Sequence, residues 1–500
     1  MSSVTEPARG LSEPAQTPRT PRAGARAWAL TGGRLAELLA VVAGAAVLWL
    51  ITGVGFANYD TLYALTWGGQ LARGETPTYG IPIAPTPHPL LEGLGVLLAP
   101  LGPHGAEVVT VALGFLALSG CAWVVYKLGA EWFGRAAGTL AALVLITRVP
   151  LLSYGVRAYV DVPYLLLVLA ALLVETRRRK AGAPVLVLLA LAGLLRPEAW
   201  VFSAVYWLYL LHGRSGEVSP RQLAGLTLLA AAAPIVWLAS DLLVTGKPLW
   251  SLTNTRHTAR TLDRVTGIAN VPAYVPRRIG EILRPPVLAG AALGGVLSLW
   301  WLRRRALPGA LAGVLAVVVF AAVATAGLSI NTRYAFPAAA LLCIFCGAGV
   351  FGWTRMAPSQ PGRRWWIAGG VAVLVALVAY APSQYRAAHR EMNKLARQQS
   401  IQADLRALVA RRAVNLRCGP VGVPNHAPIP LLALYLKTSP AHVVSAQVGA
   451  IAAGQYLDPA SREVERSYVL DPHDPYLPTS VPRGFREVYS NRSWLVYQRC

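Results

Sequence analysis

Two carboxylates and a set of arginines, each beside the end of an apolar run, are the residues of this chain best placed to do chemistry. Asp60 stands in Asn58-Tyr59-Asp60, directly after the first apolar stretch, and Asp161 heads a later one in Arg157-Ala158-Tyr159-Val160-Asp161. A carboxylate at such a boundary can take a proton from a hydroxyl or hold a divalent cation, Mg or Mn. Asp60 can equally be a helix N-cap for residues 61–71, and Arg157 with Asp161 has the spacing of a local helical ion pair. The cations answer a different need. A lipid-linked phosphate or pyrophosphate is an anion at the membrane surface, and arginine binds it with a bidentate fork. Arg196, Arg333 and the arginines of 245–285, Arg256 among them, suit that task; snorkelling of an arginine beside a span end is the alternative for each. His88 lies among prolines in Pro85-Thr86-Pro87-His88-Pro89-Leu90, where a turn-forming role competes with binding. The candidate catalytic residues are Asp60 and Asp161. Tyr59, His88, Arg157, Arg196, Glu198, Arg256 and Arg333 are the candidate substrate-binding residues.

The elements that position these groups are membrane spans. The 500 residues are 55% hydrophobic and only 14% charged, with a mean hydropathy of +0.46. A water-soluble globule is excluded, and the apolar runs are long enough to cross a bilayer. They fall at 35–56, 106–126, 136–152, 158–175, 183–195, 198–211, 222–244, 286–302, 307–329, 332–353 and 366–382, so the fold expected is a polytopic α-helical membrane protein of about eleven transmembrane helices. The net charge of +23 sits in short clusters between spans, which serves topology and not nucleic-acid binding. Arg19, Arg22, Arg26 and Arg34 precede the first span. Lys127 with Arg135, Arg177–Lys180, Arg214 with Arg221, Arg303–Arg305, and Arg355 with Arg363 and Arg364 occupy alternate links. The positive-inside rule makes that side, and the N-terminus, cytoplasmic. The opposite face then collects Asp60, His88, Arg148, Arg157, Asp161, Arg196, Glu198 and Arg333. It also carries a basic loop at 245–285, the one exception to the charge bias. Charges at membrane depth are kept mainly for function or pairing. Their gathering predicts a single polar cavity at the outer leaflet of a multi-pass protein of the plasma membrane.

Three regions follow. Residues 1–26, rich in Ser, Thr, Pro, Ala and Arg, read as a disordered cytoplasmic tail. Residues 27–383 form the transmembrane module, with a first external loop at 57–105 and the second at 245–285. Within the first loop, Leu62, Leu65 and Leu71 beside Trp67 have helical spacing, which predicts a surface helix lying on the membrane. Residues 384–500 are soluble and, by parity, extracytoplasmic. A basic amphipathic helix at 384–412, strand patterns at Gly419–Val423 and Trp494–Tyr497, and a helix around Pro430–Lys437 read as a small α/β domain. Cys121, Cys343 and Cys346 lie in apolar spans as core thiols. Cys418 and Cys500 flank the two strand patterns; if those strands are neighbours, a disulfide pins the C-terminus, and two unpaired thiols are the alternative.

Together these pieces resemble the bacterial GT-C membrane glycosyltransferases of the protein-mannosyltransferase and aminoarabinose-transferase-like group. The resemblance rests on "NYDTLYALTWGGQLARGETP", "PTPHPLLEGLGVLLAPLG", "RAYVDVPYLLLVLAALL", "GLLRPEAW" and "GKPLWSLTNTR", in that order, and covers about residues 35–350. It implies transfer of a sugar from a polyprenyl-phosphate donor to a cell-envelope glycan, lipid or protein acceptor at the outer face of the bilayer. By matching position, Asp60 would be the base or metal-site carboxylate, Asp161 the second acid and Arg196 a contact to the donor phosphate. The first-loop motif carries one acid where that group carries a pair, and His88 replaces a proline of its xPPL stretch. A transporter or flippase of a lipid-linked or anionic substrate is the alternative. It would place its charges near the midplane and show inverted repeats, and the chain has no internal repeat.

Overall fold

The computed structural model describes residues 23–212, 219–469 and 480–500, with side chains from Leu35 onward. The expected tail as far as residue 22, and Arg214, lie outside them; residues 23–26 already belong to the first helix. In chain order the helices are α1 (Ala23–Thr52), α2 (Tyr59–Ala72), α3 (Pro89–Leu98), α4 (Gly102–Phe133), α5 (Arg135–Ile146), α6 (Val149–Val156), α7 (Asp161–Arg177) and α8 (Ala183–Leu195). They continue as α9 (Ala199–Leu211), α10 (Pro220–Thr245), α11 (Trp250–Thr261), α12 (Val271–Trp301), α13 (Arg303–Thr325), α14 (Phe336–Phe351), α15 (Arg363–Ala410) and α16 (Ile429–Leu436). Among the described residues seven helical stretches are long and apolar enough to cross a membrane, and the pair α5–α6, bent by 64°, would make an eighth. Helices α8 and α9 are shorter apolar pieces, joined at Arg196-Pro197-Glu198 where the proline stops one helix and starts the next.

Helix α14 is the centre of the bundle, buried from Phe336 to Val350 except at the half-buried Leu342. It packs on α12 at Gly290, Gly294 and Gly349, where either backbone leaves no room for a Cβ on the other. Small residues allow such backbone approach where no hydrophobic force drives apolar helices together in lipid.

Three expectations need correction. The stretch 57–105 is not one loop, because Pro89 at the first helical position starts α3; the prolines before it mask an apolar helix that follows. Residues 245–285 are also largely helical. Helix α11 turns Ser251 and Ala259 inward, with Leu262 buried just beyond its end, a stripe hidden among polar neighbours. Helix α12 begins at Val271 and kinks at Arg284 (φ 67°), directly before Pro285-Pro286, since a residue preceding proline is pushed out of the helical region. Helix α2, finally, does not lie on the membrane. Thr61 through Gly68 are all buried, because Tyr63 and Trp67 make its second face as apolar as its leucine face.

The partner of that second face is the C-terminal domain. Its sheet runs β2 (Val443–Ser445), β1 (Val421–Val423), β3 (Gly454–Pro459), β5 (Trp494–Arg499), β4 (Arg486–Ser490), the first three strands parallel and the last two antiparallel. Leu62, Tyr63, Leu65 and Trp67 share one apolar core with Ile401, Leu405, Leu431 and Trp494. The Thr66 hydroxyl donates to the Pro430 carbonyl at 3.3 Å. Helix α15 continues unbroken for 48 residues from the last span into this domain. Gln399 and Gln402 on it bond the backbone of Gly55 (3.1 Å) and Ala57 (3.4 Å). Cys418 and Cys500 form a disulfide, with Cα atoms 5.2 Å apart and a sequence separation of 82. Strand β3 separates β1 from β5, so the bridged cysteines are not on neighbouring strands. They meet because the start of parallel β1 and the end of antiparallel β5 leave the same end of the sheet.

Candidate active site

The site is assembled by backbone stitching between two segments a hundred residues apart. Phe56 N–H donates to the Val156 carbonyl (3.1 Å) and Asn58 N–H to the Arg157 carbonyl (3.0 Å). The Thr61 hydroxyl donates to the Ala158 carbonyl at 2.7 Å. Ala158 holds φ at 53°, a left-handed turn that ends α6 and lets α7 start afresh at Asp161. Asn58 is the N-cap of α2: its Oδ1 accepts from the N–H groups of Asp60 (2.7 Å) and Thr61 (3.2 Å). The cap is therefore Asn58, and the Asp60 carboxylate is left for other work.

That carboxylate meets an ion network. Arg333 Nη1 lies 3.3 Å from Asp60 Oδ2 and 3.8 Å from Asp161 Oδ2. Arg196 donates Nη1 to Asp161 Oδ1, and Nε (3.2 Å) and Nη2 (2.8 Å) to Glu198. The local Arg157–Asp161 pair does not form, because the turn at Ala158 breaks the helix between them. The two acids differ in access. The Asp161 side chain is 1% exposed and that of Asp60 18%, so a hydroxyl can reach Asp60 while Asp161 is shut in as a counter-ion. Arg196, expected on a phosphate, has all three nitrogens on carboxylates.

The remaining candidates divide. Arg157 donates Nε and Nη2 to Ser153 (3.0 Å each) and lies over the rings of Tyr154 and Tyr159; among the described residues it makes no ion pair. The buried His88 sets its ring edge-on to Trp237, and its Nδ1 has no hydrogen-bond partner. Burial holds its imidazole down at about 4, against the pull of Asp60 in the other direction. Arg333 Nε is likewise buried and unpartnered. Two orphaned polar atoms beside one carboxylate suit a ligand that is polar on several sides. Tyr59 instead donates to the Ile83 carbonyl at 3.1 Å and packs its ring against Tyr63 and His426. Arg256 is committed to the Ala326 carbonyl, and the structure does not bring it into the network.

Two residues belong here that spacing alone does not flag. Tyr334 presents its ring to Arg196 at 4.6 Å and to Arg333 at 5.8 Å. Glu281 accepts from Arg278 and from the Thr332 hydroxyl (2.9 Å each), tying α12 to the turn that carries Arg333. The Arg277-Arg278 to Glu281 interval is a readable helical signal. A divalent ion fits poorly. Arg333 already stands between Asp60 and Asp161, and no trio of His, Cys, Asp or Glu gathers elsewhere among the described residues.

No protein-family model and no curated protein matches the sequence. Solved structures do. ArnT from Cupriavidus metallidurans with undecaprenyl phosphate bound superposes with a TM-score of 0.52 at 15% identity, over 91% of this chain and 97% of that one. Its apo form gives 0.52 at 15% identity, over 95% and 98%. The Archaeoglobus fulgidus oligosaccharyltransferase in its apo form gives 0.49 at 10% identity, over 86% and 69%. ArnT is a GT-C glycosyltransferase, and this chain has its fold.

Proposed function

We propose that this chain is an integral membrane glycosyltransferase that moves a hexosyl or pentosyl unit from a polyprenyl-phosphate donor to an acceptor hydroxyl. The observation that carries the reading is the accessible Asp60 carboxylate at the edge of a buried arginine–carboxylate network. The undecaprenyl phosphate bound to ArnT supports a lipid-phosphate donor here. Asp60 takes the proton of the acceptor hydroxyl. The oxygen forms a bond to the anomeric carbon as the bond from that carbon to the phosphate oxygen breaks. The lipid phosphate leaves with the electron pair, and Arg333 and Arg157 stabilise its charge. One displacement inverts the anomeric centre. Asp161 and Glu198 act behind this line, fixing Arg196, whose guanidinium braces Tyr334. Fixed guanidinium charge does here what a divalent cation does at other phosphoryl sites.

The charge pattern supports an N-terminus in the cytoplasm of a plasma-membrane protein, with the site and the 384–500 domain outside. Adding the bent pair, the short helices α8 and α9 and the 17-residue α7 to the seven longer stretches supports about eleven passes. A cell-envelope glycan, lipid or protein is then the acceptor. Reconstituted protein given a polyprenyl-phosphate sugar tests the reading. Asp60→Asn is expected to abolish transfer while leaving thermal stability nearly unchanged, and near-native turnover by that variant would sink it.

A further inference from the structure

The 38 residues from Gly246 to Leu283 join the end of one spanning helix, α10, to the spanning half of α12 beyond the kink at Arg284. They therefore lie at the membrane surface, whichever face it is. They carry six cations (Lys247, Arg256, Arg260, Arg264, Arg277, Arg278) against two acids (Asp263, Glu281). Arg256 is spent on the Ala326 carbonyl, and Arg277 and Arg278 on Glu281. Lys247, Arg260 and Arg264 make no ion pair among the described residues, and Lys247 and Arg260 are exposed. None of the three contacts the Asp60 network. Beside them Leu249, Val265 and Ile268 are exposed large apolar side chains, and Lys247 stands over the ring of Trp250. Apolar side chains at the acyl boundary, a tryptophan at headgroup depth and unpaired cations above them are what an interfacial segment presents to a bilayer.

We propose that this segment is a docking surface for anionic phospholipid headgroups, built from Lys247, Arg260 and Arg264 over Leu249, Val265 and Ile268. The surface is distinct from the reaction centre, and the donor's phosphate is not its ligand. A neutral bilayer would leave three surface cations uncompensated, whereas each cation close to an anionic leaflet gains appreciable attraction.

Hydrogen exchange tests it in nanodiscs of phosphatidylcholine, with and without phosphatidylglycerol. In the native protein, phosphatidylglycerol is expected to slow exchange of peptides from 246–283, and Lys247→Gln/Arg260→Gln/Arg264→Gln is expected to weaken that protection roughly tenfold or more. Arg303→Gln/Arg304→Gln/Arg305→Gln, on the opposite membrane face, is expected to leave it intact. Exchange rates in pure phosphatidylcholine report whether the first variant still folds. The proposal is overturned if phosphatidylglycerol gives no local protection, or if the first variant keeps it. It is also overturned if protection appears in neutral discs on adding undecaprenyl phosphate alone, which would return these cations to the donor.

Discussion

At the scale of single residues, the two carboxylates predict different failures. Asp60→Asn removes the carboxylate proposed as the base and one contact to Arg333, so activity is expected to be lost and stability to be kept. Asp161→Asn strips a buried guanidinium of one of its two acids, and breaking such a pair costs about 3–5 kcal/mol where no partner remains. Glu198 still holds Arg196, so the expected loss is the lower part of that range. Chemical denaturation of the two variants, compared side by side, checks the contrast. His88 makes a prediction about pH. Its folded-state pKa of about 4 lies below the ordinary value near 6.5. The unfolded chain therefore binds more protons between those values, and stability falls as pH drops from about 6.5 to 4. Melting curves over that window are expected to show the fall, and His88→Asn to flatten it.

At the scale of elements, the close crossing of α2 and α3 sets the distance between Asp60 and His88. Gly68 lies against the Glu92 carbonyl and Gly95, with no room for a Cβ. Gly68→Ala is expected to force the helices apart at a cost of about 1–3 kcal/mol and to lower transfer more than a surface Gly→Ala does. Assayed melting point and turnover together decide it. The elements also show what could be read from sequence. The gathering of Asp60, Asp161, Arg196, Glu198 and Arg333 followed from sidedness, because alternating spans leave few places for charge. Who pairs with whom did not, since it turns on a left-handed Ala158 that no propensity announces. Helix α3 was hidden for a different reason: prolines that read as loop punctuation in fact prepare a helix start. The burial of α2 needed knowledge of the C-terminal domain that packs on it, and local periodicity cannot supply that.

At the scale of the molecule, the C-terminal domain packs on α2, the helix that carries Asp60, and one covalent link ties down its last strand. In the chain-entropy model a bridge over 82 residues is worth on the order of 4 kcal/mol. Cys500→Ser is expected to lose about that much from the unfolding of this domain and to let β5 fray. Intact mass after alkylation without reductant should show three labelled thiols in the native protein, Cys121, Cys343 and Cys346.

Helix α15 gives the molecule a sensitivity to its surroundings. At 48 residues it is about 72 Å long, a mast stepped in the bilayer whose upper half is clamped by Gln399 and Gln402 to the backbone just before Asp60. A mast leans when its deck thins or thickens, because a span of fixed apolar length meets a changed bilayer by tilting. Here the lean would be passed to the segment that leads into Asp60, the proposed base. Turnover should therefore peak at one acyl-chain length and fall on either side of it, making membrane thickness a throttle on the reaction.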